Sequence, residues 1–212
     1  MSALSLSSRL KEATRELHRL AENSGGMGAL LRGRVERAPY CLLLRNLHAL
    51  YAALEDALDR HAALPQVAPV RMPVLYRTAA LAADLRTLHG PCWDELTVAA
   101  AMQSYVARLA EVARTRPPLL AAHAYVRYMG DLSGGRILRD VIARTLALQD
   151  GAGIAFYTFA DAGDGRELKE RFREGMDALP VDDALAQAIV AEARAAFARH
   201  VELFEELHRP PG

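Results

Sequence analysis

Residues 125–138 read YVRYMGDLSGGRIL. They lie inside an apolar-periodic run from Leu119 to Leu148 whose spacing predicts one long helix. Gly130, Gly134 and Gly135 are poor choices for a helix interior, each costing roughly 0.5–1 kcal/mol relative to alanine. Two physical reasons for them compete. Glycines let a second helix approach closely, and a Gly-Gly pair is a usual site for a kink. Alternatively, something flat lies on bare backbone, and a kinked helix turns carbonyls and amides toward it. Asp131 then sits beside that ligand, where a carboxylate can hold a water in a fixed orientation. The pattern of residues alone leaves both open.

Outward from this run, helical spacing dominates. Leu6 to about Glu22 carries a stripe through Leu10, Ala13, Leu17 and Leu20 or Ala21, with Ser7 or Ser8 as candidate caps. SGGMG (24–28) reads as a break. Pro39–His61 runs through Leu43, Leu47, Leu50, Leu54 and Leu58, and Pro39 suits a first helical turn. After a proline-bearing loop (64–73), helices are predicted over Val74–His89, Val98–Arg114, Leu119–Leu148 and Arg166–Leu179. The last starts after Pro180 and reaches about Leu207. GIAFYTFA (153–160) is the one strand-like run, and without a partner it reads as an apolar connector. The fold class expected is all-α: a multi-helix bundle around one core, forming a single domain over residues 1–212.

Composition narrows the function. Fifty-one per cent of the 212 residues are hydrophobic, enough for a full core, and 26 basic residues balance 26 acidic ones. That balance gives no support to nucleic-acid binding. Cys41 and Cys92 belong to no CxxC or zinc spacing and fit a reducing compartment. The N-terminus lacks a continuous apolar segment of the signal-peptide kind, and no apolar stretch reaches 18 residues. The expectation is a cytoplasmic protein without a membrane anchor. Of the basic residues only Lys11 and Lys169 are lysines.

YVRYMGDLSGG closely resembles the distal-helix motif of the haem oxygenases. LKEATRELHRLAENS (10–24) resembles the family's proximal helix. LYAALEDAL (50–58), AMQSYVARLAEV (101–112), FYTFADAG (156–163) and FARHVELFEEL (197–207) match further family segments in the right order. The resemblance spans nearly the whole chain and implies a bundle holding haem b between a proximal helix and a kinked distal helix.

His18 and Glu22 share a helix face, which by itself describes an ordinary surface pair. The resemblance places His18 at the proximal iron ligand and Glu22 behind it, fixing the imidazole. It places Lys11, Arg15, Tyr125, Lys169 and Arg173 at the propionates. The chain's only two lysines thus fall at two of these positions, and an ammonium and a guanidinium are not interchangeable. Gly130, Ser133 and Gly134 are carried over as haem contacts in the distal motif. Asp131 is carried over as the residue that holds, through water, the hydrogen bonds delivering a proton to the reacting oxygen.

Tyr51, Tyr105 and Arg127 match the family's extended polar network, although each could equally be satisfied at a helix contact. One position departs from the pattern. His200 stands where many members carry asparagine, so it either substitutes as a hydrogen-bonding group or faces elsewhere.

The reaction implied is oxidative opening of haem at a meso carbon, most like the alpha-type members, to biliverdin, carbon monoxide and ferrous iron. Haem is then both substrate and cofactor, and O2 is the oxidant. Electrons must come from an external reductase or ferredoxin, because the chain carries no Gly-rich dinucleotide fingerprint and no cysteine cluster. A monomer is expected. The rival reading is a haem carrier that uses the same pocket without turnover, which has no need of a distal carboxylate such as Asp131. Di-iron oxidases and thiamin-degrading enzymes share the architecture, but no second E-x-x-H pair and no recognisable nucleophile segment support them.

Overall fold

In the computed structural model, which describes residues 4–23, 25–159 and 165–208, the chain forms α1 (Leu6–Asn23), α2 (Gly25–Leu31), α3 (Arg37–Arg60) and α4 (Thr78–Leu88). It continues through α5 (Ala100–Thr115), α6 (Leu120–Thr145), α7 (Arg166–Asp177) and α8 (Asp183–His208). Short 3-10 turns fill several connections, and there is no strand among the described residues. The strand-like run is one of these turns, Ala155–Tyr157. Residues 160–163 of the FYTFADAG segment lie outside the described residues.

α8 is the hub, packing against α1, α2, α5 and α6, while α3 lies against α4 and α5. α3 sends Leu44, Leu50, Leu54 and Leu58 into full burial, as its 3–4 residue spacing dictates. Each such side chain contributes roughly 1.5–3 kcal/mol. The buried apolar residues form one connected core from Leu6 to Phe204. No helix among the described residues is long and apolar enough to cross a membrane.

The starts of several helices are capped from a distance. The first amides of a helix lack internal partners, and carboxylates from other helices supply them. Asp177 of α7 accepts from the Ser7 amide at 2.7 Å and the Ser7 hydroxyl at 2.9 Å. Glu55 of α3 accepts from the amides of Arg77 and Thr78 at the start of α4. Glu206 of α8 accepts from Ala100 and Ala101 at the start of α5, at 2.9 and 2.8 Å. Asp84 of α4 accepts from the Ala155 and Phe156 amides, both at 2.8 Å, and so fixes the connector that carries Phe156 and Tyr157 inward.

Two expectations are corrected here and one is extended. α1 does end at Asn23, just ahead of the glycines of SGGMG, but residues from Gly25 onward form a second helix, α2, which lies on α8. A Cβ at Gly26 would come within 3.0 Å of the Phe204 carbonyl oxygen, so the glycine permits that close approach. Ser7 and Ser8 lie within the first turn of α1 rather than ahead of it, and Asp177 does the capping. The helix expected from Val74 starts at Thr78, after a separate 3-10 turn over Pro73–Leu75.

Candidate functional site

The proximal side is built on α1. Leu10, Thr14 and Ala21 face the core, and His18, one turn after Thr14, lies at the edge of that face with its side chain about half exposed at 47%. Its ring meets Phe197 of α8 edge-on at 6.0 Å. His18 Nδ1 lies 3.5 Å from Glu22 Oε1, one turn along the helix. A carboxylate at that nitrogen favours the proton there and leaves Nε2 as the free lone pair. Among the described residues, no hydrogen bond to Nε2 is formed.

Two voids adjoin at this imidazole. One, of about 250 Å³, is apolar: Met27 and Leu30 of α2, Leu43 and Leu47 of α3, and Phe156 and Phe204 supply much of its wall. The other is a cleft of about 590 Å³ lined by Lys11, Arg15 and Arg19 of α1, Lys169 and Arg173 of α7, and Tyr125 of α6. Among the described residues, no carboxylate lines the cleft. None of the Lys11, Arg15, Lys169 and Arg173 side chains has an ion-pair or hydrogen-bond partner among the described residues. Burial, with Arg173 and Lys11 nearby, pushes the Lys169 ammonium below its ordinary pKa. An uncompensated cluster of this kind, in a chain of zero net charge, is a site for an anionic group. The Asp177–Ser7 cap and the Arg9–Asp183 ion pair at 2.8 Å hold α1 beside α7 and the start of α8, so the two cation-bearing helices are placed together.

α6 forms the opposite wall. It continues as α-helix through the glycines to Thr145. A Cβ at Gly130 or Gly134 would meet nothing within 4 Å, so these glycines face open space and not a packed neighbour. Gly135 would only touch the Tyr157 ring at 3.7 Å. The choice left open by the sequence is therefore decided against helix packing at Gly130 and Gly134.

Behind that wall sits a buried polar cluster. The Arg127 guanidinium donates from Nε to the Tyr51 hydroxyl at 3.0 Å, from Nη2 to Asp131 Oδ1 at 3.1 Å, and from Nη1 to His200 Nε2 at 2.6 Å. Tyr51 donates its hydroxyl proton to Asp131 Oδ2. Burial pushes the Asp131 carboxyl up from the usual carboxylate range, against the pull of Arg127, the Tyr51 hydrogen bond and Arg77. Asp131, Arg127 and His200 all line the apolar cavity.

A heme oxygenase family model matches residues 4–206. The chain belongs to the haem oxygenase family. It is 41% identical over 206 residues to heme oxygenase 1 of the cyanobacterium Synechocystis, covering 97% of this chain and 85% of that one. The crystal structure of Synechocystis heme oxygenase-1 in complex with heme superposes with a TM-score of 0.92 over 96% of this chain and 92% of that chain, again at 41% identity. The heme oxygenase of Leptospira interrogans gives 0.92 at 38% identity, over 96% and 100% of the two chains.

The residues of this haem oxygenase fit the group. An open imidazole nitrogen suits an iron ligand, bare helix backbone opposite suits a flat macrocycle, the apolar void suits its hydrocarbon edge, and the cation cluster suits two carboxylates. His18, Gly130 and Ser133 line both voids. Lys11, Arg15, Tyr125, Lys169 and Arg173 are brought together at the cleft; Glu22, Arg127, Asp131 and Gly134 at the cavity. Tyr51 lies one step behind Asp131. Tyr105 is not joined to this cluster by a hydrogen bond: its hydroxyl pairs with His123 Nδ1 at 3.1 Å. His123 Nε2 in turn lies 3.2 Å from Glu192 Oε1, which favours the Nε2–H tautomer and leaves Nδ1 to accept from Tyr105. Two residues of the site stand outside the sequence expectations: His200, whose place was open between two alternatives, and Phe197, which meets His18. Phe197 falls on the His200 stripe three residues earlier, a spacing that could have pointed to it.

Proposed function

We propose that this haem oxygenase opens its substrate at the alpha-meso carbon, with His18 as the iron ligand and Asp131 as the residue that governs proton delivery. When bound, haem supplies both the iron at which dioxygen is activated and the carbon that is oxidised, giving biliverdin, carbon monoxide and ferrous iron. The observation that carries this reading is that His18 of α1 and Gly130 of α6 both line an apolar cavity and a cationic cleft.

The chain's own groups have separable tasks. His18 holds the substrate from the α1 side through Nε2, with Glu22 fixing the ring. Lys11, Arg15, Lys169 and Arg173, with Tyr125, hold the propionate edge and so set the rotation of the macrocycle in its plane. Gly130 and Gly134 leave room on the α6 side, where any side chain would occupy the space above the ring. Ser133, whose hydroxyl donates to the Met129 carbonyl at 2.6 Å, keeps its polar atom on its own helix. Asp131, held by Tyr51 and Arg127, is placed to orient water rather than to reach the iron. That is general acid–base help by a fixed hydrogen-bonding group. A carrier would need the cleft and His18 but not this cluster.

An external reductase or ferredoxin supplies the electrons. The arginines beside the cleft, Arg15 and Arg19, are exposed and suit an acidic donor. We further read residues 1–212 as one domain acting as a monomer in a reducing cytoplasm. The connected core and the two unpaired cysteines, Cys41 and Cys92, support this. The test is titration with haemin followed by aerobic reduction and product analysis. Stoichiometric uptake and alpha-biliverdin are expected. Stable, unconverted haem under these conditions would overturn the enzymatic reading.

A further inference from the structure

The contact between Arg127 and His200 has a consequence for the distal cluster. A guanidinium has donors and no acceptor. The 2.6 Å approach of Arg127 Nη1 to His200 Nε2 therefore requires Nε2 to be the acceptor, unprotonated. His200 must then be neutral with its proton on Nδ1. Consistently, burial, and after it Arg127 and His123, hold this imidazole well below the ordinary histidine pKa. Nδ1 is buried without a hydrogen-bond partner among the described residues. An unpaired buried donor is unusual, and here it follows from presenting an acceptor to Arg127.

The ring itself is held by packing. Tyr105 lies against it at 5.3 Å between centroids, and Phe204 meets it edge-on at 6.3 Å. With its hydroxyl committed to His123, Tyr105 meets the cluster through this ring contact. On Arg127, the three hydrogen bonds leave from three different nitrogens of one rigid plane. Fixing Nη1 therefore fixes the direction of Nε toward Tyr51 and of Nη2 toward Asp131.

We propose that His200 is a positioning residue for haem cleavage: through Nε2 it locks the plane of Arg127, and so the orientation of the Asp131 carboxylate that faces the cavity. This rests on the reading of Asp131 given above. A side chain with a correctly placed acceptor, such as asparagine, can do the same work; an isosteric apolar one cannot.

The test has two arms. Nitrogen-15 NMR of the histidines in the free protein should show His200 neutral and protonated on Nδ1. A proton on Nε2 would overturn the proposal without reference to turnover. In the second arm, His200→Leu and His200→Asn are loaded with haem, and biliverdin formed and hydrogen peroxide released are measured per electron consumed. His200→Leu should keep the axial coordination spectrum of the wild type but lose about tenfold or more in biliverdin yield, with more peroxide. His200→Asn should recover most of that loss. A wild-type yield in His200→Leu, or His200→Asn no better than leucine, would contradict the positioning role. If the wild type itself made no biliverdin, the enzymatic reading would fail, and the NMR arm would still decide the arrangement at His200.

Discussion

His18 on α1 and Gly130 on α6 line both voids of the site, the apolar cavity and the cationic cleft. One residue presents a free imidazole nitrogen and the other presents only backbone, so the space between them suits a flat group. The two voids differ in polarity, an arrangement that suits a group with a hydrocarbon edge toward α2 and α3 and an anionic edge toward Lys11 and Lys169. The remaining features of the site can be tested one at a time.

Gly130→Ala separates stability from function. The added methyl meets nothing within 4 Å in the free protein. Removing a glycine from a helix interior should stabilise it by up to about 1 kcal/mol, a rise of roughly 2–4 °C in Tm for a domain of this size. The same methyl enters the substrate space, so haemin affinity and turnover should fall. Thermal unfolding of the free protein and haemin titration check both signs; a lowered Tm would mean the position is packed after all.

Asp131→Asn keeps the shape of the side chain and removes its charge. Haemin should still bind with His18 coordination. Biliverdin formation should fall by about 10²-fold or more, the usual size of a lost acid–base contribution. Retention of wild-type turnover would remove Asp131 from proton delivery.

Lys11→Ala and Lys169→Ala act on orientation. Each removes one cation from the cleft and lets the macrocycle rotate in its plane. The expected result is a mixture of biliverdin isomers, read by chromatography, with turnover largely kept. Unchanged alpha selectivity in both variants would show that the arginines alone set the seating.

Acid should destabilise the free protein in two stages. His123 and His200 both have folded pKa values depressed by burial. Unfolded histidine takes up a proton near pH 6.5. The unfolded state therefore binds more protons as pH falls below that value, and stability declines. Burial alone would raise Glu192, but hydrogen bonds from His123 and Arg108 bring its carboxyl down to about 2. Its contribution is present above the ordinary carboxylate range and is lost as pH falls from there toward about 2. Denaturant unfolding from pH 8 to pH 3 should show both declines, and Glu192→Gln should show a smaller lower one.

Much of the helix order was legible in the sequence, because Leu43, Leu47, Leu50, Leu54 and Leu58 repeat at helical spacing, and similar stripes mark the other long elements. What escaped was non-local. Nothing near Leu6 announces that Asp177 caps α1, and nothing near Thr78 points to Glu55, since these partners lie 170 and 22–23 residues away in the chain. α2 escaped because its glycines read as a break, whereas Gly26 serves a close approach to Phe204. At the site, His18, Asp131 and the cation positions were singled out by the resemblance of their segments to the family, not by residue type or spacing. The direction of the Tyr105 hydroxyl and the acceptor role of His200 were not legible, because both depend on which buried partner each ring meets.

The most direct measurement is the coordination spectrum of the ferric haem complex in wild type and in His18→Ala, with and without added imidazole. Haem clamped between His18 and the α6 backbone predicts stoichiometric uptake by the wild type and an altered axial spectrum in His18→Ala. It also predicts recovery of the wild-type spectrum when imidazole fills the space left by the side chain. An identical spectrum in both proteins would contradict it, as would failure of the wild type to bind haemin in a one-to-one ratio.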